Sequence, residues 1–168
     1  MLAPEIETLA WAEQIALDDA MYRSQLAYLL ERSVFYQKKL KGFPPGGLAD
    51  ISALPFTEKS EIRVSCTADS PIGAHLCVER PDIVRIYSTS GTTGTPSYIP
   101  LTADDLERWV TASSRSYAAS GVSAGERIVS TYNAGPFVAG AALGSFDRIG
   151  MCHIPVGTGN TERLMTAI

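Results

Sequence analysis

The sequence predicts an α/β protein: an N-terminal helical segment followed by β-α-β-α-β units of a mainly parallel sheet. Three observations carry that expectation. Apolar residues recur every three to four positions ahead of Lys41, the period of a helix with one buried face. From residue 82 the pattern changes to short β-branched runs, Asp82-Ile-Val-Arg-Ile-Tyr87, Arg127-Ile-Val-Ser-Thr-Tyr132 and Gly150-Met-Cys-His-Ile-Pro-Val156. Helix-length stretches separate those runs, and parallel neighbours need a crossover of that kind. The chain therefore divides into a helical segment 1–47, an irregular connector with a short helix 48–81, and an α/β portion 82–168.

Each element has a local reason. Leu26, Leu29, Leu30 and Val34 form an apolar stripe, with Arg23, Gln25, Glu31 and Arg32 between them. Lys38, Lys39 and Lys41 suit the C-terminal end, where cations oppose the partial charge of free carbonyls. Gly42-Phe-Pro-Pro-Gly-Gly47 then stops the helix. In the connector, Thr57 stands where a cap would open a short helix from Glu58 to Val64. Ser70-Pro71 and Arg80-Pro81 read as extended or turning backbone. Tyr98-Ile-Pro-Leu101 is a second short strand, placed at an edge because Pro100 has no amide to donate. Thr102 caps the next helix, with Asp104, Asp105 and Glu107 at its positive end and Leu106, Trp109, Val110, Ser113 and Tyr117 on its buried face. Gly121 ends that region. The Gly/Ala-rich stretch from Gly135 to Gly150 suits a helix of small side chains, and Gly140 and Gly144 let it approach a neighbour closely. Thr161 to Ile168 opens a further helix. No internal repeat is visible.

Composition excludes several function classes. The 168 residues are 45% hydrophobic and 19% charged, so a buried core is expected and disorder is not. A net charge of −4 offers no basic footprint for nucleic acid or an anionic membrane. The N-terminus carries Glu5 and Glu7 where a signal peptide needs bases, and no apolar run reaches the ~20 residues of a membrane helix. Cys66, Cys77 and Cys152 cannot pair completely, which suits a reducing compartment; a soluble, cytoplasmic protein is expected. No metal site is expected. His75 and Cys77 are one residue apart, Cys152 and His153 are adjacent and so face opposite sides of a strand, and no C-x-x-C pair occurs. A serine-hydrolase elbow is absent too.

The segment with the most chemistry is Tyr87-Ser-Thr-Ser-Gly-Thr-Thr-Gly-Thr-Pro-Ser97. Glycines and small hydroxyl residues between two strands offer unobstructed amides and O–H donors, which is what a phosphate group requires. Thr95-Pro96 after Gly94 rules out a Walker A loop, and no Gly-x-Gly-x-x-Gly opens a helix. The same composition also fits a plain polar hairpin loop. Composition alone does not choose between the two.

Ser88-Thr-Ser-Gly-Thr-Thr-Gly-Thr-Pro96 resembles the signature loop of the adenylate-forming superfamily of acyl- and aryl-CoA ligases and adenylation domains. Its context resembles the phenylacetate-CoA ligase branch. Glu31-Arg-Ser-Val-Phe-Tyr36, Leu54-Pro-Phe-Thr-Glu-Lys59, Ile83-Val-Arg-Ile86 and Ile154-Pro-Val-Gly-Thr-Gly-Asn-Thr-Glu-Arg163 match it in the expected order. The resemblance implies part of the large N-terminal domain of such an enzyme, with 82–168 as its incomplete nucleotide-binding portion. It implies ATP, Mg2+ and coenzyme A as co-substrates, and an aromatic, phenylacetate-like carboxylate as the small-molecule partner. Thr89, Ser90, Gly91, Thr92, Thr93, Gly94 and Thr95 would grip the β- and γ-phosphates. Tyr132, Ala134, Gly135 and Phe137 would wall the acid's pocket, with Ala134 leaving room where the phenylacetate enzymes tend to have tyrosine. Tyr132 and Phe137 also have a purely packing explanation, at the sheet's end and in the core.

One departure stands out. Family members commonly carry a lysine in or just after the loop, where this chain has Thr95 and Ser97. The catalytic lysine and the acidic magnesium ligand that the resemblance implies have no counterpart in this sequence, so the catalytic residues are unknown and the chain alone is expected to be inactive. Truncation would leave apolar surface uncovered and favour self-association. Two alternatives stay open: an adenylating enzyme that loads a carrier-protein thiol, and an inactive truncated module that only binds or interacts.

Overall fold

Ser33 ends the long N-terminal helix earlier than the apolar stripe suggests. The computed structural model describes residues 2–43, 46–89, 96–132 and 139–168. The chain packs as two compact units, Glu5–Arg80 and Pro81–Ile168 with Met1–Pro4. After α1 (Pro4–Glu7), α2 runs from Trp11 to Arg32 and α3 from Val34 to Lys39. Between α2 and α3 Ser33 is extended (φ −106°, ψ 112°), and its hydroxyl accepts from the Tyr36 amide at 3.3 Å. A serine side chain that can satisfy a free amide makes a new start competitive with continuing the old helix. The stripe therefore stops short of Val34, which is 52% exposed. Lys38 and Lys39 do occupy a last turn, but it is that of α3.

Tertiary contacts fix this break. The buried Ser33 hydroxyl donates to the Ala74 carbonyl at 3.4 Å, and the Phe35 amide donates to the same oxygen at 3.2 Å. Asp19 of α2 accepts from Arg23 Nε at 2.7 Å and from the Leu48 amide at 2.6 Å, which ties down the 3-10 turn Leu48–Ala53. Those two donors, Arg23 first, hold the Asp19 carboxyl below its usual range. α4 is Lys59–Val64, one residue shorter at its start than expected. Its cap position is Glu58 rather than Thr57, and the Glu58 amide donates to Glu61 Oε2 at 2.7 Å. The Glu61 carboxylate also meets Lys39 Nζ at 2.5 Å. A carboxylate three residues into the helix reaches back to the free amide, which a threonine one step too early does not do.

The second unit carries the strands. β1 (Arg85–Ser88) pairs antiparallel with β2 (Tyr98–Leu101), in the register Arg85↔Leu101 to Ser88↔Tyr98. β3 (Arg127–Ser130) pairs parallel with β4 (Cys152–Pro155), and the segment joining them holds a crossover helix, Ala139–Ile149. The α/β class is as expected, but among the described residues the strands form two separate pairs rather than one parallel sheet. The β1–β2 connection is too short for a crossover, so only an antiparallel partner is reachable.

Helix α5 (Ala103–Ala119) starts as the sequence indicates, and the crossover helix that follows it is α6. Thr102 Oγ1 accepts from the Asp105 amide at 3.2 Å, while Asp105 Oδ2 accepts from the Thr102 amide at 3.0 Å. α5 contributes to the core beside each strand pair. Its Leu106 and Trp109 lie against Tyr87 and Leu101, and its Tyr117 lies against Phe146. A Cβ at Gly144 of α6 would stand 3.4 Å from Val110 Cγ2, at ordinary contact distance, so α6 lies close against α5 there. Ser114, rather than its neighbour Ser113, is the buried serine; its hydroxyl donates to the Val110 carbonyl at 2.7 Å. Gly150 ends α6 at φ +83°, with the Met151 amide donating to the Phe146 carbonyl at 3.0 Å. Helix α7 is Thr161–Ala167.

Candidate functional site

The β1–β2 hairpin positions the first group of site residues. Tyr87, 3% exposed, anchors its inner face, with its ring 6.3 Å from that of Trp109. The Tyr87 hydroxyl accepts from Arg85 Nη1 at 3.2 Å. One step beyond the last ladder pair, Thr89 and Ser97 close a neck. The Thr89 amide donates to the Ser97 carbonyl at 3.0 Å, and the Ser97 amide donates to Thr89 Oγ1 at 3.1 Å. Ser97 Oγ is buried and, among the described residues, has no hydrogen-bond partner. An orphaned buried hydroxyl beside a glycine- and threonine-rich segment is the kind of group that waits for a ligand or water. Ser90, Gly91, Thr92, Thr93, Gly94 and Thr95 lie outside the described residues.

Of the second group, Tyr132 lies past the carboxyl end of β3, on the edge where open α/β sheets take their ligands. It is 55% exposed. Ala134, Gly135 and Phe137 lie outside the described residues. Beneath this edge is a polar pair that sequence reasoning missed. Ser130 Oγ and His153 Nε2 share a hydrogen bond of 2.8 Å. The Ser130 carbonyl also accepts from the Val156 amide at 2.9 Å. The turn after β4 has Gly157 and Gly159 at φ +79° and +78°, within the run that resembles the ligase branch. The signal for Ser130 and His153 was their place within two strand-like runs; the register sets Ile128 opposite His153 and Ser130 opposite Pro155, and this pairing brings the two side chains together from 23 residues apart in sequence. Thr89 and Tyr132 belong to different strand pairs of one unit.

Among the described residues, no group of three or more His, Cys, Asp or Glu side chains converges as a metal site would. The three cysteines are free. Cys66 donates to the Ile62 and Ile72 carbonyls at 3.4 Å, and Cys77 donates to the His75 carbonyl at 3.3 Å. Burial lowers the His75 pKa and raises that of the Cys77 thiol, so both stay neutral near pH 7. Among the described residues, no helix is long and apolar enough to cross a membrane.

No family model matches the chain. It is 35% identical to the phenylacetate-coenzyme A ligase of Thermus thermophilus, an alignment that covers 100% of this chain and 38% of that relative. It is 30% identical to the Escherichia coli enzyme of the same name, over 94% of this chain and 36% of the relative. The Aromatoleum evansii enzyme is 29% identical over 99% of this chain and 35% of its own length. Among solved structures, an open conformation of 2-hydroxyisobutyryl-CoA ligase in complex with 2-HIB-AMP and CoA superimposes with a TM-score of 0.87 at 25% identity. That match covers 97% of this chain and 40% of the other. The same enzyme in its thioesterification state gives 0.87 at 26% identity. The chain thus spans little more than a third of the length of the curated relatives it matches.

Proposed function

We propose a function from the premise that this chain belongs to the adenylate-forming superfamily, in its phenylacetate-CoA ligase-like branch, and corresponds to the N-terminal portion of such enzymes. It contributes the triphosphate grip and one wall of the acid pocket to an ATP-dependent ligase for an aromatic carboxylate. In the first step a carboxylate oxygen bonds to the α-phosphorus of ATP and pyrophosphate leaves. In the second the coenzyme A thiolate bonds to the acyl carbon and AMP leaves. On this reading Thr89 to Thr95 grip the departing pyrophosphate, and their N–H and O–H donors stabilise the charge that grows on it. Magnesium enters with ATP. The reaction is cytoplasmic on this reading.

The observation that carries the proposal is the Thr89–Ser97 neck. It fixes Thr89 and Ser97, the two flanks of the hydroxyl-rich segment, on a hairpin anchored by Tyr87, and it buries a Ser97 hydroxyl that has no partner among the described residues. A plain surface hairpin has no need of such a group. The outer face of the hairpin, with Val84, Ile86 and Tyr98 exposed, is where self-association of the chain is proposed to occur.

The test is acid-dependent ATP–pyrophosphate exchange in a protein whose matching portion of the Thermus enzyme is replaced by residues 1–168. Exchange with aromatic acids, followed by thioester formation with coenzyme A, is the expected result. Exchange without acceptance of coenzyme A favours the carrier-protein alternative. No acid-dependent exchange from a folded, ATP-binding hybrid overturns the enzyme reading.

A further inference from the structure

We infer that the Ser130–His153 hydrogen bond positions Tyr132 for the aromatic acid, an inference that rests on reading Tyr132 as a wall of the acid pocket. The pair is out of place energetically. The surrounding cluster is apolar: Phe146, Ile149 and Met151 are buried, with Tyr117, Val122, Ile128 and Leu143 packed on them. Ser130 is 5% exposed, and the His153 ring sits 5.0 Å from that of Phe146, edge to face. Two apolar residues of similar shape would hold this layer about as well, because the net gain from a buried hydrogen bond is small. What the apolar residues would not supply is a fixed strand end.

Strand ends fray, and β3 ends at Ser130. Two contacts hold that residue against fraying and a third holds its partner. The Ser130 carbonyl accepts from the Val156 amide at 2.9 Å, its hydroxyl is bonded to His153 at 2.8 Å, and His153 is itself wedged against Phe146. Tyr132 is two residues further on and 55% exposed, so its own packing does little to hold it. Its placement comes from the residue it leaves. An aromatic wall that is fixed before the acid arrives loses less conformational freedom on binding, which favours affinity. Ser130 and His153 are positioning residues on this account and touch no substrate.

The experiment uses the isotope-labelled chain with phenylacetate as the probe and ATP as the control ligand. Ser130→Ala/His153→Leu is the main variant, since it replaces both partners and leaves no unpaired polar atom. Ser130→Ala and Ser130→Thr accompany it, so a folding failure in the double variant does not remove the test. The expected results are a lower order parameter at the Tyr132 amide and a phenylacetate Kd raised roughly fivefold, the factor one net hydrogen bond sets. The ATP Kd stays within about twofold, and Ser130→Thr restores wild-type behaviour. Unchanged Tyr132 order overturns the inference, and so does an ATP Kd that rises in proportion, which marks a global loss. The chain supplies one wall of the acid pocket, so a lack of phenylacetate binding by the unaltered chain removes only the Kd readout and leaves the acid reading to the exchange assay on the hybrid. Tyr132 order then decides the positioning alone, supporting it if order drops in the variants and overturning it otherwise.

Discussion

Truncating Phe146 to alanine tests the core that holds the acid-side edge in place. The ring is 2% exposed and packs between Tyr117 at 4.9 Å and His153 at 5.0 Å, with Ile149 and Met151 around it. Losing a buried Phe side chain forfeits about 2–3 kcal/mol of transfer free energy. A residual cavity of ~60 Å3 at ~24 cal/mol per Å3 adds about 1.5 kcal/mol. The expected cost is about 4 kcal/mol, inside the ~3–5 kcal/mol range of such substitutions. That is about a quarter or more of the ~5–15 kcal/mol a domain has. Phe146→Leu nearly conserves volume and should cost no more than about 1.5 kcal/mol. The assay is urea unfolding followed by tryptophan fluorescence. Of the two tryptophans, Trp11 is 76% exposed, so a Trp11→Phe background leaves Trp109 as the reporter of the second unit. A Phe146→Ala loss below about 1 kcal/mol, or one equal to that of Phe146→Leu, would refute a dry, close-packed core around this ring.

Four further outcomes are expected. Thr102→Ala removes the α5 cap and should lower stability by about 1 kcal/mol in the same urea assay, with Thr102→Asp retaining most of it. Gly150→Ala places a side chain at φ +83° and 3.4 Å from Ala124 Cβ, and should cost about 1–2 kcal/mol or more. Asp19 and Glu61 have lowered folded pKa values, so what they contribute is fully present above their unfolded values of about 4 and is lost as pH falls through the folded ones. The Asp19→Asn variant should therefore differ from the unaltered chain in urea midpoint at pH 7 and converge on it as pH falls below the usual carboxylate range. Thr95→Lys supplies the cation missing from the loop and should tighten ATP binding several-fold at low salt. Isothermal titration should show that gain shrinking as ionic strength rises.

Much of the fold is legible locally. The runs at Arg85–Ser88, Arg127–Ser130 and Cys152–Pro155 are strands where β-branched residues and flanking punctuation say so, and Thr102 caps because its hydroxyl and the Asp105 carboxylate are three residues apart. The helix break was not legible. Ser33 lies inside an unbroken helical period, and its conformation is settled by the Ala74 carbonyl, 41 residues away. Strand pairing behaved likewise. The spacing of elements fits a parallel sheet throughout, but each strand's partner depends on which edge it can reach, and the described residues divide into one antiparallel and one parallel pair. At the site, the Ser/Thr/Gly composition was visible, whereas the Thr89–Ser97 neck and the burial of the Ser97 hydroxyl exist only after the hairpin closes.

By itself the sequence determined the α/β class, the family resemblance and the segment to examine for phosphate binding, because each rests on residue types within a few positions of one another. The tertiary structure alone decided which helix ends are free, which strands pair, and that Ser130 and His153 meet. Those outcomes depend on contacts between residues tens of positions apart, which no local period encodes, since any one of them forms only once the layers around it have packed.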